Sequence, residues 1–212
     1  MNPEKTRWTL ALSAVALLAG CASVDPHLMP TPAVLKDPAL DFAPRLPPAL
    51  RSTRLPVFYA TTRAPAPAGA PGHYVNAAGD GVQLGVAEVR LGEPGLSWDD
   101  LVASDRGNTI EQARFGAVER VTEFGKAGAP GDSERRFLDA IDAQLAKAQN
   151  KELVLYVHGY RVYFDEVAVQ MGSFAHFLGH GAMVTFQWPT GMNFWNYVTD
   201  CPRAEQIGRA HV

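Results

Sequence analysis

The chain has 212 residues, a length for one domain plus an appendage. Hydrophobic residues make up 47% and charged residues 19%, which excludes wholesale disorder. The formal charge is −3 with no Lys/Arg block, so a nucleic-acid partner is not expected. Cys21 and Cys201 are the only cysteines and form no CxxC, which excludes a disulfide framework and a zinc knuckle.

Residues 1–20 have a signal-peptide layout: Lys5 and Arg7, an apolar run from Trp8 to Leu18, then small residues. As a helix that run reaches only ~16 Å, about half of a ~30 Å hydrocarbon core, so it is expected to direct export and not to span a bilayer. Leu18-Ala19-Gly20-Cys21 resembles the bacterial lipoprotein box. The resemblance implies acylation of Cys21, cleavage before it and attachment to the membrane through lipid. Ala22 after the cysteine implies an envelope location at the outer membrane, facing the periplasm. Several acyl chains at ~0.8 kcal/mol per buried CH₂ hold a domain far more firmly than one chain could.

Residues 21–56 are expected to form a lipidated, proline-rich tether, with prolines at 26, 30, 32, 38, 44, 47, 48 and 56. Residues 57–206 are expected to be the folded part. Val57 to Thr61 reads as a strand, and Ala64 to Gly72 as a loop. Val82, Leu84 and Val86 alternate before the apolar parity slips to Ala87, Val89 and Leu91, which predicts a bulge near Gly85. Residues 92–131 give mixed signals, including Phe115, Val118, Val121 and Phe124 spaced by three.

Asp132 or Ser133 caps a predicted helix with Phe137, Leu138, Ile141, Leu145 and Ala148 on one face, ending near Asn150. Leu153 to Val157 reads as a strand covered on both faces. A second helix is predicted over Phe164 to Leu178, with Val167, Met171, Phe174 and Leu178 on one stripe and Gly179 ending it. Ala182 to Trp188 reads as the next strand. Helix, strand, helix, strand is the pattern of an α/β fold.

A strand ending in His158-Gly159-Tyr160 and feeding a helix places backbone N–H groups at the carboxyl edge of a parallel sheet, where such folds bind ligands. A plain connection using Gly159 for a positive φ would also account for the turn. LVLYVHGY, a helix, VTFQWPTG and then Tyr197 to Asp200 resemble the α/β-hydrolase superfamily. More narrowly, they resemble a bacterial branch of uncharacterised serine-hydrolase-like proteins, which also shares a segment like Val57 to Arg63 and a strand like Leu84 to Val89. The resemblance implies the N-terminal half of an α/β-hydrolase sheet, mostly parallel, with helices on both faces, and incomplete. It implies that the Tyr160 backbone N–H is one oxyanion donor, with Gly159 and His158 supporting the motif and His158 not acting as the base.

Such chemistry needs a G-x-S-x-G elbow followed by an acid and a histidine, and none of the seven serines has glycines at both flanks. No catalytic residue is therefore expected within these 212 residues. Residues 207–212 match what one reading frame of a common sequencing adapter encodes, so an adapter-derived tail is expected there. His176 and His180 have the spacing of a two-histidine metal site, but no third ligand accompanies them; no metal or cofactor is expected. Phe174, Phe177, Trp188, Phe194, Trp195 and Tyr197 could line an acyl pocket or fill the core. Asp165 and Glu166 suit a helix start. The function expected is the N-terminal part of a membrane-anchored serine hydrolase acting on a small carboxylic ester or related acyl substrate, inactive as written. The alternative is a non-catalytic envelope lipoprotein that uses a hydrolase-like domain for binding.

Overall fold

The computed structural model describes residues 26–37, 43, 46–148, 151–179 and 181–191. Five strands, β1 (Arg54–Pro65), β2 (Tyr74–Leu91), β3 (Gly116–Lys126), β4 (Leu153–Val157) and β5 (Ala182–Gln187), form one sheet in the order β3-β2-β1-β5-β4. Three α-helices, α1 (Trp98–Asp105), α2 (Ser133–Lys147) and α3 (Phe164–Leu178), complete an α/β fold.

The sheet is mixed, where the sequence predicts a mostly parallel one. β1, β5 and β4 run parallel, whereas β2 is antiparallel to both β1 and β3. Residues 66–73 are too short for a crossover, so β1 and β2 can only pair antiparallel. Near Gly85 the register against β3 shifts, but the extra residue is Phe124 of β3. β2 itself runs unbroken against β1 from Arg90 to Gln83, so the bulge expected in β2 is absent. Its apolar parity slips because both faces are covered, Val86 packing with Phe58 and Ala87, Val89 and Leu91 on the α3 side. A second shift, between Glu88 and Val89, leaves Glu119 as an extra residue of β3. Val118 and Val121, three apart, thereby reach the same face, and a helix-like spacing is produced by a strand.

Alternation in β1 divides the core. Leu55, Val57 and Tyr59 join Ala87, Val89, Leu91 and α3 on one face, while Phe58 and Val184 meet Ile141 and Phe137 of α2 on the other. Helices thus cover both faces. Each fully buried Val or Met of this set contributes about 1.5–3 kcal/mol. Tyr59 donates its hydroxyl to Tyr74 at 3.1 Å, because Tyr74 in turn donates to Glu123 Oε1 at 2.6 Å.

Three expectations need correction. β4 is not covered on both faces: it pairs only with β5 among the described residues, and Leu153, Leu155 and Val157 are more than half exposed. On α2, Leu138 points to solvent, and the packed face is Phe137, Ala140, Ile141 and Leu145. On α3, Leu178 is exposed whereas Val167, Ala168, Met171 and Ala175 are buried; Gly179 ends the helix at φ 76°.

The described part of the proline-rich segment lies on the domain and does not stand off it. Leu28 N–H donates to Arg114 O at 2.9 Å, Gly116 N–H donates to Pro26 O at 2.8 Å, and Leu46 is buried. Arg54 to Pro56, expected in the tether, already belong to β1. Among the described residues no helix is long and apolar enough to cross a membrane. The apolar run 8–18, Cys21, Asn150, Cys201 and the tail 207–212 lie outside the described residues.

Candidate functional site

The carboxyl ends of the three parallel strands converge. β1 brings Thr61 and Arg63, β5 brings Gln187 and then Trp188, and β4 runs into His158. Thr61 Oγ1 donates to Gln187 O at 2.7 Å and accepts the Arg63 N–H at 3.1 Å, tying β1 to the end of β5.

His158 is the centre of this edge and is 3% exposed. Its Nε2 accepts the Trp188 backbone N–H at 3.1 Å, which places the ring proton on Nδ1, 2.7 Å from Gly159 O. The Trp188 indole stacks on the imidazole, with centroids 5.5 Å apart and planes 7° from parallel, and its Nε1–H donates to His158 O at 3.2 Å. Burial pushes the His158 pKa down to about 4, and the neighbouring positive charge of Arg63 adds to the effect. The ring is a neutral bracket between β4 and β5, with both nitrogens engaged.

Arg63 is 1% exposed. Its Nη2 donates to Val162 O at 2.9 Å and stands 3.3 Å from His158 Nε2. Nε and Nη1 have no hydrogen-bond partner among the described residues. Burial lowers its pKa to about 10, with Glu166 acting in the opposite direction, so the group is still cationic at neutral pH. The run Val57 to Thr61 contains no hint of this role, because Arg63 reads as the polar end of a strand. An arginine closing an apolar strand was the available signal.

The turn itself is strained at an unexpected place. Gly159 is not among the residues of positive φ; Arg161, with φ 60°, is the described non-glycine residue in that region. A non-glycine residue there costs on the order of 1–2 kcal/mol. The adjacent Val162 carbonyl held by Arg63 fixes the backbone on one side, and His158 O held by Trp188 fixes it on the other. Tyr160, half-buried, sits between these clamps. After the turn, Tyr163 N–H donates to Glu166 Oε2 at 2.7 Å, which starts α3. Asp165 turns aside to His73 Nδ1 at 3.2 Å and raises the His73 pKa through that hydrogen bond.

The other candidates are dispersed. Ser173 lies within α3, its hydroxyl donating to Val169 O at 3.1 Å and accepting Met29 N–H at 3.3 Å. His176 pairs with Asp105 Oδ2 at 2.7 Å, while His180 lies outside the described residues. Of the aromatic group, Trp188 joins His158 and Phe177 lines a cavity at the other end of α3; Phe194, Trp195 and Tyr197 lie outside the described residues. No described serine is hydrogen-bonded to His158. What the edge offers is a turn whose His158 and Val162 carbonyls are held by side chains, beside a buried cation.

Residues 133–210 match a family model described as an alpha/beta hydrolase of unknown function (DUF900). The match takes in α2, β4, the His158 turn, α3 and β5, and over this stretch the chain is a hydrolase-like domain of unknown function. No curated protein and no solved structure matches the chain.

Proposed function

We propose that this chain carries the oxyanion-holding part of an acyl hydrolase, with small carboxylic esters or related acyl compounds as substrates. The observation that carries the reading is the double clamp on the His158 to Val162 turn, which presents backbone at the carboxyl edge of parallel strands within the matched region. The Tyr160 N–H serves as one donor to the oxyanion, and the residue after the nucleophile serves as the second. Losing one such donor costs about 3–4 kcal/mol of barrier. His158, neutral and engaged at both nitrogens, positions the turn and moves no proton.

The attacking serine would stand on a strand laid along the outer edge of β4, its hydroxyl adding to the carbonyl while a histidine takes the proton. The 212 residues contain no G-x-S-x-G, and on this reading they would not cleave esters by themselves. Lipid on Cys21 would hold the domain at the outer membrane, facing the periplasm. Reading the locus across codon 212 and treating the encoded protein with a fluorophosphonate probe tests the assignment. Labelling lost on replacing an elbow serine supports it; no labelling and no elbow in the reading frame end it. Radiolabelled palmitate incorporation that disappears in Cys21→Ser tests the anchor.

A non-catalytic binding domain in the envelope is the second reading. A full reading frame with a non-nucleophile at the elbow would select it.

A further inference from the structure

A cavity of about 510 Å³ lies at the C-terminal end of α3, away from the His158 turn. Its volume falls in the ~300–1,000 Å³ range of small-molecule sites. Residues 28–31 line it together with Leu91, Leu101 and Phe177, which supply apolar surface. The polar groups of the wall are engaged with one another. His176, 1% exposed, donates Nε2–H to Asp105 Oδ2 at 2.7 Å, and Asp105 Oδ1 accepts the Thr31 hydroxyl at 2.9 Å. Ser173 gives its proton to Val169 O, so despite standing in the same wall as His176 and Asp105 it is no activated nucleophile. The space left over is suited to an alkyl chain.

The lining carries two cations and one carboxylate. Lys36 and Arg114 line the cavity as exposed cations; Arg114 is paired with Glu111, and Lys36 has no ion-pair partner among the described residues. Asp105 is the acid in the lining, and it is already satisfied. We propose that the cavity binds a single-chain alkyl carboxylate, tail inward against Leu101 and Phe177, carboxylate against Lys36 with Arg114 beside it. The site is independent of the hydrolase reading, and it binds without cleaving.

Photolabelling the full chain with dodecanoate carrying a terminal diazirine, followed by peptide mass spectrometry, tests this. Adducts are expected on residues 28–31, Leu101 or Phe177, suppressed by excess dodecanoate. Lys36→Glu, at an exposed position, is expected to weaken labelling about tenfold, as loss of a charge-assisted contact does. Leu101→Trp fills the cavity and abolishes labelling, with circular dichroism checking that it folds. The diazirine of dodecanol, which lacks the carboxylate, should label about tenfold less. Adducts confined to the exposed Leu153 to Val157 strand, equal labelling by the alcohol, or indifference to Lys36→Glu would each overturn the proposal.

Discussion

The Arg63 guanidinium and the His158 imidazole share one contact, Nη2 to Nε2 at 3.3 Å, with the imidazole nitrogen already accepting the Trp188 N–H. A second proton on that ring would set a donor against two donors and a cation against a cation, in a place where neither residue meets water. The two side chains therefore coexist only while His158 is neutral. This links three strand ends to one protonation state: β1 through Arg63, β4 through His158 itself, and β5 through Trp188.

His158 should accordingly not titrate in the ordinary histidine range. Its folded pKa of about 4 lies below the ~6.5 of the unfolded chain. The stability tied to the neutral ring is intact above pH 6.5 and is lost as pH falls from there towards 4. The loss is on the order of 3 kcal/mol. Nitrogen-15 chemical shifts of the His158 ring, with urea unfolding at matched pH, measure both. A ring that titrates near 6.5 would falsify the bracket.

Replacing Arg63 separates its two roles. Arg63→Met removes the charge, so the His158 pKa should rise, though not to 6.5, because burial is the larger cause. It also leaves Val162 O without its donor, at a cost of about 1–3 kcal/mol. Arg63→Lys should restore the turn only in part, because both contacts come from Nη2 alone and an ammonium on a stem one bond shorter must reach the same point. A melt no better than that of Arg63→Met would remove the Val162 hydrogen bond from the account.

His73 provides the opposite pH signature. Its hydrogen bond to Asp165 raises its pKa, so that contribution is fully present below the unfolded value and fades as pH rises through the folded one. The pair ties the loop 66–73 to the first turn of α3. His73→Gln should increase amide exchange in residues 66–73 at pH 6 and leave it unchanged at pH 9; an equal effect at both would assign the change to packing alone.

Gly85 of β2 lies against the Tyr59 ring in the core. A Cβ there would press on the Tyr59 ring and come within 2.7 Å of Thr122 O, and Tyr59 is held by its bond to Tyr74. Neither neighbour can withdraw cheaply, so Gly85→Ala should destabilise by about 1–3 kcal/mol. Gly159→Ala is the control, since its Cβ meets nothing within 4 Å. Comparable losses from both substitutions in urea unfolding would mean that backbone freedom, and not the Tyr59 contact, is what Gly85 supplies.

Legibility followed periodicity. α3 was readable end to end because its apolar spacing and Gly179 agree, whereas the parity slip of β2 misled, since it records a strand covered on both faces and not a bulge of its own. α1 and β3 were not readable, since the capping pair Ser97 and Asp100 stands in front of a weakly amphipathic octet, and the Glu119 bulge gives β3 a spacing of three. The exposure of β4 was hidden for a different reason: LVLYV is equally apolar whether or not a neighbour covers it, and only topology decides. At the site, the His158 motif was visible as a string, but Arg63 enters it across 95 positions of sequence, and no local pattern encodes that contact.

The outer edge of β4 carries the last prediction. Leu155 is 62% exposed, flanked by Leu153 and Val157 on an uncharged strand that pairs on one side only among the described residues. Such an edge is a template for another strand. Leu155→Lys places a charge there without removing a buried contact, so folding stability should change by no more than about 0.5 kcal/mol. Self-association should fall nonetheless, because a lysine on a pairing edge disfavours the incoming strand. Sedimentation velocity of the two proteins at equal concentration compares them directly. A larger monomer fraction for Leu155→Lys at an unchanged melting temperature is the outcome expected. Identical sedimentation profiles would show that association proceeds elsewhere and that the β4 edge is inert.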